Sequence, residues 1–137
     1  MKKLKFQSII VEKSGKDYLV DLKTTSFTEI IETEVIVKVI YSSINYKDIL
    51  ISEGNPGLVR KYPHTLGIDL AGIVELTKSK KFKVGDSVIV VARPLGIEIP
   101  GGLAEFAKVP EHWVEKVPNG VTLKTAMIFG TAGFTGA

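Results

Sequence analysis

The chain has two histidines and no cysteine, which sets the first limit on its chemistry. A protein zinc site is built from thiolate, imidazole and carboxylate ligands, and without cysteine there is no thiolate ligand, disulfide or thiol nucleophile. His64 and His112 lie far apart, with neither helical nor finger-like metal spacing, and read as separate pocket or surface residues. Three other polar residues stand among apolar neighbours. Asn45 precedes Tyr46-Lys47-Asp48, where its side chain can cap the free N–H groups of a first helical turn, and Asp48 places negative charge beside them. Asp69, between Gly67 and Gly72, opens an apolar run. Buried without partners it would be costly, so it is either hydrogen-bonded to backbone or exposed at a rim.

The elements that must position these residues are mostly strands. Runs rich in β-branched residues recur between turn signals at Phe6 to Val11, Tyr18 to Leu22, Val35 to Tyr41, Ile68 to Leu76, Ser87 to Ala92, Leu103 to Val109 and Trp113 to Val117. This spacing predicts a small, mostly antiparallel β-barrel or sandwich, with Lys38 on the solvent face of its strand. Gly85-Asp86 and Gly101-Gly102 suit tight corners. A helix is expected from Asn45 to a stop at Gly54. A second is expected from near Thr122, with Leu123, Ala126, Met127 and Phe129 near one face.

Composition narrows the function classes. Its 137 residues, 45% hydrophobic and 24% charged, are enough for one domain with a real core. The net charge of +3 comes from scattered lysines without interleaved aromatics, which argues against a nucleic-acid surface. Charged residues from Glu12 to Asp17 interrupt any apolar run after Met1-Lys2-Lys3, so neither a targeting segment nor a membrane segment is expected, and a reducing cytoplasm suits a cysteine-free chain. From Thr125 to Ala137 no residue is charged. Such a run implies a partner surface, either a second subunit or more of the same polypeptide, and truncation is the favoured expectation.

Five segments together resemble the catalytic domain of the medium-chain dehydrogenase/reductase superfamily. They are Ser43-Ile44-Asn45-Tyr46-Lys47-Asp48, the stretch Pro63 to Val74, Phe82-Lys83-Val84-Gly85-Asp86-Ser87-Val88, Gly101-Gly102-Leu103-Ala104-Glu105-Phe106, and Ala126 to Thr135. The similarity covers nearly the whole chain. It is greatest to the YhdH/YhfP branch of quinone oxidoreductase-like and acrylyl-CoA reductase proteins.

The resemblance implies a mostly β, GroES-like small barrel over residues 1–121, with 122–137 leading toward a nucleotide-binding domain. That Rossmann domain is absent, since no Gly-x-Gly-x-x-Gly phosphate loop occurs. In zinc-dependent relatives a Gly-His-Glu stretch supplies a metal ligand. Gly67-Ile68-Asp69 replaces it here, which implies zinc independence. The resemblance places Tyr46 beside the nicotinamide end of NADPH, and Asn45, Asp69 and Thr131 as further cofactor-site residues. Lys47 and Arg60 are candidates for attracting CoA phosphates. A tyrosine that serves as proton donor in related enoyl thioester reductases is replaced by Pro56, so the proton donor and the catalytic residues stay unassigned.

The implied full-length protein is a cytoplasmic, homo-oligomeric oxidoreductase. It would transfer hydride from NADPH to an enoyl-CoA such as acryloyl-CoA or to a quinone. The chain alone would be inactive and would not hold NADPH tightly. The alternative is a stand-alone GroES-like binding or assembly module without catalysis.

Overall fold

The computed structural model describes residues 4–27, 29–55, 57–59 and 61–128. It opens with a long hairpin of β1 (Leu4–Ser14) and β2 (Asp17–Phe27), joined at Gly15-Lys16. Gly15 has φ +62, a conformation that a tight two-residue hairpin loop requires of its first residue. There follow β3 (Glu34–Tyr41), α1 (Tyr46–Ser52), β4 (His64–Thr65), β5 (Leu70–Thr77), β6 (Ser87–Val90) and β7 (Phe106–Pro110). A short 3-10 turn (Glu111–Trp113), β8 (Glu115–Lys116) and α2 (Leu123–Ile128) complete the described chain.

The strands form two sheets, a three-stranded one in the order β2-β1-β4 and a five-stranded one in the order β7-β3-β5-β6-β8. Every pairing between these strands is antiparallel. The described residues therefore contain no parallel α/β unit of the Rossmann kind, and the fold is the mostly β architecture the sequence predicts. Residues 101–105 lace the two sheets together. Glu105 donates its N–H to Gln7 of β1, while its carbonyl accepts from Val39 of β3, both at 2.9 Å.

The main core lies against the five-stranded sheet and contains Val35, Val37, Leu70, Val74, Val88 and Val90, all fully buried. Lys38 is exposed, as its strand position predicts. A second cluster of Val11, Ile51, Val59 and Leu66 seats α1 on the three-stranded sheet. Burying Ile51 there stabilises by roughly 2 kcal/mol. Met127 and Leu123 bring α2 onto Ala71 and Val91 in a third cluster.

Several boundaries differ from the sequence reading. β2 runs on through Thr24, Thr25 and Ser26, polar residues that pair with β1 whatever their hydropathy. The run expected from Leu103 becomes a strand only at Phe106, because the residues before it bridge the sheets. The run expected from Trp113 is first a 3-10 turn and then two strand residues. β4 was not expected; it is two residues long and exists only through its pairing with β1.

Candidate functional site

The chain leaves β3 at Tyr41, crosses to α1 through residues 42–45, and is held there by two buried carboxylates. Asp69, 1% exposed, sits just before β5. Its carboxylate accepts from the Ser43 N–H at 3.0 Å, the Ser43 hydroxyl at 2.6 Å and the Asn45 side-chain amide at 3.2 Å. Its carbonyl accepts from the Ser42 hydroxyl at 2.9 Å. The choice between a hydrogen-bonded and a rim-exposed Asp69 is thus decided for the first, and the partners are side chains as well as backbone. A buried carboxylate accepting several hydrogen bonds is stable where an unpaired one is not.

Asp48, 2% exposed, is the second anchor. Asn45 and Asp48 occupy the N-cap and third positions of a capping box on α1. The bond of standard geometry is the returning one, in which Asp48 accepts from the Asn45 N–H at 2.8 Å. The Asn45 amide nitrogen turns instead to Ser43 and Asp69. The other oxygen of Asp48 accepts from the Gly67 N–H at 3.0 Å, tying α1 to the segment before β5. Gly67 has φ +111, and a Cβ there would strike the backbone of Gly102 and Leu103, so only glycine lets these two connecting segments approach this closely. Burial pushes the Asp48 carboxyl above its ordinary value, the Asn45 and Gly67 N–H groups pull it back, and the charge of Asp69 adds to the rise.

Tyr46 begins α1 and remains 65% exposed. Ile49, one turn on, is 50% exposed, so this side of the helix offers an aromatic and an aliphatic group to a partner surface. Ile44, in the loop before α1, is 74% exposed. Lys47 is exposed as well. Thr131, Arg60 and Pro56 lie outside the described residues.

The structure therefore brings Asn45 and Asp69 together, with Tyr46 exposed at the next position after Asn45. It also adds Ser43 and Gly67, to which sequence reasoning assigned no role. Their signals, a hydroxyl two residues before a helix cap and a glycine two residues before an aspartate, are visible in sequence only once the contacts are known.

The histidines stay apart from one another. His64 is half-buried in β4 and its Nε2 donates to the Gly96 carbonyl at 2.6 Å; since a carbonyl can only accept, this nitrogen carries the proton. Burial lowers its basicity, opposed by that hydrogen bond and by the charge of Asp48. His112 is exposed. At the place where a metal ligand would sit, the buried Ile68 offers no donor and the Asp69 carboxylate is already engaged. The donor set does not suit zinc.

Among the described residues no helix is long and apolar enough to cross a membrane.

Comparison with known proteins bears out the fold. The alcohol dehydrogenase GroES-like domain family matches residues 31–119. Acrylyl-CoA reductase AcuI of Ruegeria pomeroyi is 41% identical over 95% of this chain, which spans 40% of AcuI. The crystal structure of Bacillus subtilis protein yhfP with NAD bound superposes with a TM-score of 0.88 at 43% identity, covering 96% of this chain and 40% of that one. The yhdH oxidoreductase of Salmonella enterica in complex with NADP gives 0.86 at 36% identity, over 94% and 40% of the two chains. The chain thus spans about 40% of the length of the proteins it matches.

Proposed function

Because the chain belongs to the alcohol dehydrogenase GroES-like domain family, we propose that it is the substrate-side domain of a zinc-independent, NADPH-dependent oxidoreductase. The acceptor is an enoyl-CoA thioester of the acryloyl-CoA kind or a quinone, and the site of action is the cytoplasm. The similarity to AcuI supports the first acceptor, and the quinone oxidoreductase name carried by YhfP of Bacillus subtilis, 44% identical, supports the second. The nucleotide-binding surface belongs to a Rossmann domain outside these residues, in a protein that works as a homo-oligomer.

The observation that carries this reading is the contrast at the start of α1, where Asp69 and Asp48 fix the backbone while the Tyr46 ring is left open. A flat, amphipathic ring on a rigid corner suits a nicotinamide, which is itself flat and carries a polar carboxamide. The bound cofactor supplies the hydride. Tyr46 sets the plane against which the nicotinamide lies, and Asn45 supplies polar contact beside it. Asp69 serves the cofactor by holding Ser43 and Asn45 in place. Thr131 belongs to the same surface in this proposal. Exposed Lys47 draws the phosphates of a CoA ester or dinucleotide toward it.

The test is to join the chain to the nucleotide-binding part of Bacillus subtilis YhfP and follow NADPH oxidation with acryloyl-CoA and with quinones. The joined protein is expected to turn over one acceptor class, and the chain alone neither. Tyr46→Ala should lower kcat/KM roughly tenfold or more, a loss of transition-state positioning. Full activity of Tyr46→Ala, or NADPH oxidation by the chain alone, would contradict the proposal.

A further inference from the structure

Strand β2 is the free edge of the three-stranded sheet. The bonding of β1 shows which groups of β2 face outward. Ile9 donates its N–H to Leu103 and accepts from the Leu66 N–H, so both its groups point away from β2. Gln7 likewise gives its N–H and carbonyl to Glu105. Residues opposite each other in an antiparallel pair either exchange both hydrogen bonds or both turn away. Leu22, opposite Ile9, and Thr24, opposite Gln7, therefore present their backbone groups to the open edge. The two-residue period of a strand adds Val20. The Leu22 N–H has the carboxylate of neighbouring Asp21, at 2.8 Å, as its acceptor. Leu19, Val20 and Leu22 are 57%, 51% and 60% exposed along this edge. A long edge that turns backbone groups and aliphatic side chains outward, with no strand paired on that side, is a template for another strand.

We propose that β2 pairs with β2 of a second copy of this chain, antiparallel, about a two-fold axis at Leu22. Leu22 is the midpoint of Asp17–Phe27. In this register Leu22 meets Leu22 and Val20 meets Thr24, so outward-facing backbone groups meet outward-facing ones. An axis at Asp21 or Lys23 would also oppose outward-facing backbone groups, but it would set Asp21 against Asp21 or Lys23 against Lys23, like charges directly opposite.

The charges fit the same register. Asp21 falls opposite Lys23 of the second copy, and by symmetry the pair occurs twice. Both pairs take the non-hydrogen-bonded places of the ladder, where side chains stand closest. The Asp21 carboxylate exchanges the Leu22 N–H for the lysine, and that N–H takes the Leu22 carbonyl of the second copy. Lys23 already pairs with Glu12 on β1 and would then bridge two carboxylates. The result is a continuous six-stranded sheet.

Sedimentation velocity over a concentration series tests this directly. The chain should show a reversible monomer–dimer equilibrium. Asp21→Lys sets lysine against lysine, and Lys23→Asp sets aspartate against aspartate. Each variant alone should dimerise about tenfold more weakly. Mixed one to one they face each other with opposite charges at both positions, and the dimer should return. Far-UV circular dichroism confirms that each variant is folded, and the mixture still reads register should Lys23→Asp lose stability with its Glu12 contact. A chain that stays monomeric at every concentration, a dimer indifferent to both substitutions, or a mixture no better than either variant would overturn the proposal.

Discussion

The corner around Asp69 and the outer edge of β2 treat polar groups in opposite ways. At the corner, two buried carboxylates take up the backbone and side-chain donors of residues 43, 45 and 67, and the chain itself completes the network. Along β2, backbone groups and aliphatic side chains are turned toward solvent, and nothing within the described residues covers them. The difference teaches where this molecule is preorganised and where it is prepared to associate. In the function proposed above, a corner that presents Tyr46 at a set angle is over-determined from within, while the edge proposed to join a second copy keeps most of its outward backbone groups available.

The largest expected effect comes from breaking the corner. Asp69→Ala leaves the Ser43 N–H, the Ser43 hydroxyl and the Asn45 amide without their acceptor, and should cost about 3 kcal/mol in urea unfolding. Gly67→Ala should follow at about 2 kcal/mol, since it forces a Cβ against backbone at a positive φ. Should either variant unfold at the same urea concentration as the parent chain, the corner is not the rigid element described.

Acidity probes the same corner more gently. His64 has its basicity lowered by burial, so its contribution to stability is present above the ordinary imidazole value and is lost as pH falls through its own lower value. Asp48 works in the other direction. Its carboxyl is raised by burial, so its stabilising contribution is present below the ordinary carboxylate value and is lost as pH rises through the raised one. Urea midpoints should therefore fall first on acidification from neutrality and be opposed further down by Asp48. His64→Gln, which keeps a donor for the Gly96 carbonyl, should remove only the first limb. A parent profile flat through the imidazole range would contradict the assignment.

The smallest effect belongs to the edge. Leu22→Ala should change the stability of the monomer by less than about 0.5 kcal/mol, because its side chain is mostly exposed. The same truncation at fully buried Leu70 should cost about 3 kcal/mol. Equal costs at the two positions would erase the distinction between the regions.

Legibility in the sequence follows the same division. The central strands β3, β5 and β6 and the helix after Asn45 announce themselves, because β-branched runs, caps and glycine stops are local signals. The end of β2 does not, since Thr24 to Ser26 owe their strand state to pairing with β1. β4 depends wholly on a partner strand distant in sequence. At the candidate site, motif resemblance picks out Asn45, Tyr46 and Asp69, but the hydrogen-bonded state of Asp69 depends on Ser43 and Asn45 arriving from another part of the chain. The double grip of Asp48 on Asn45 and Gly67 is likewise a property of the folded chain; its position in the sequence shows only a charge at a helix start.

The claim that matters most is that this corner presents Tyr46 and Asn45 to a nicotinamide. Titrating the 15N-labelled chain with reduced nicotinamide mononucleotide, and following its amide resonances, tests it without any second domain. Saturable shifts centred on Ser43, Asn45 and Tyr46, lost in Tyr46→Ala, are the predicted result. Shifts centred on the β1–β2 hairpin, or none at millimolar ligand, would contradict it.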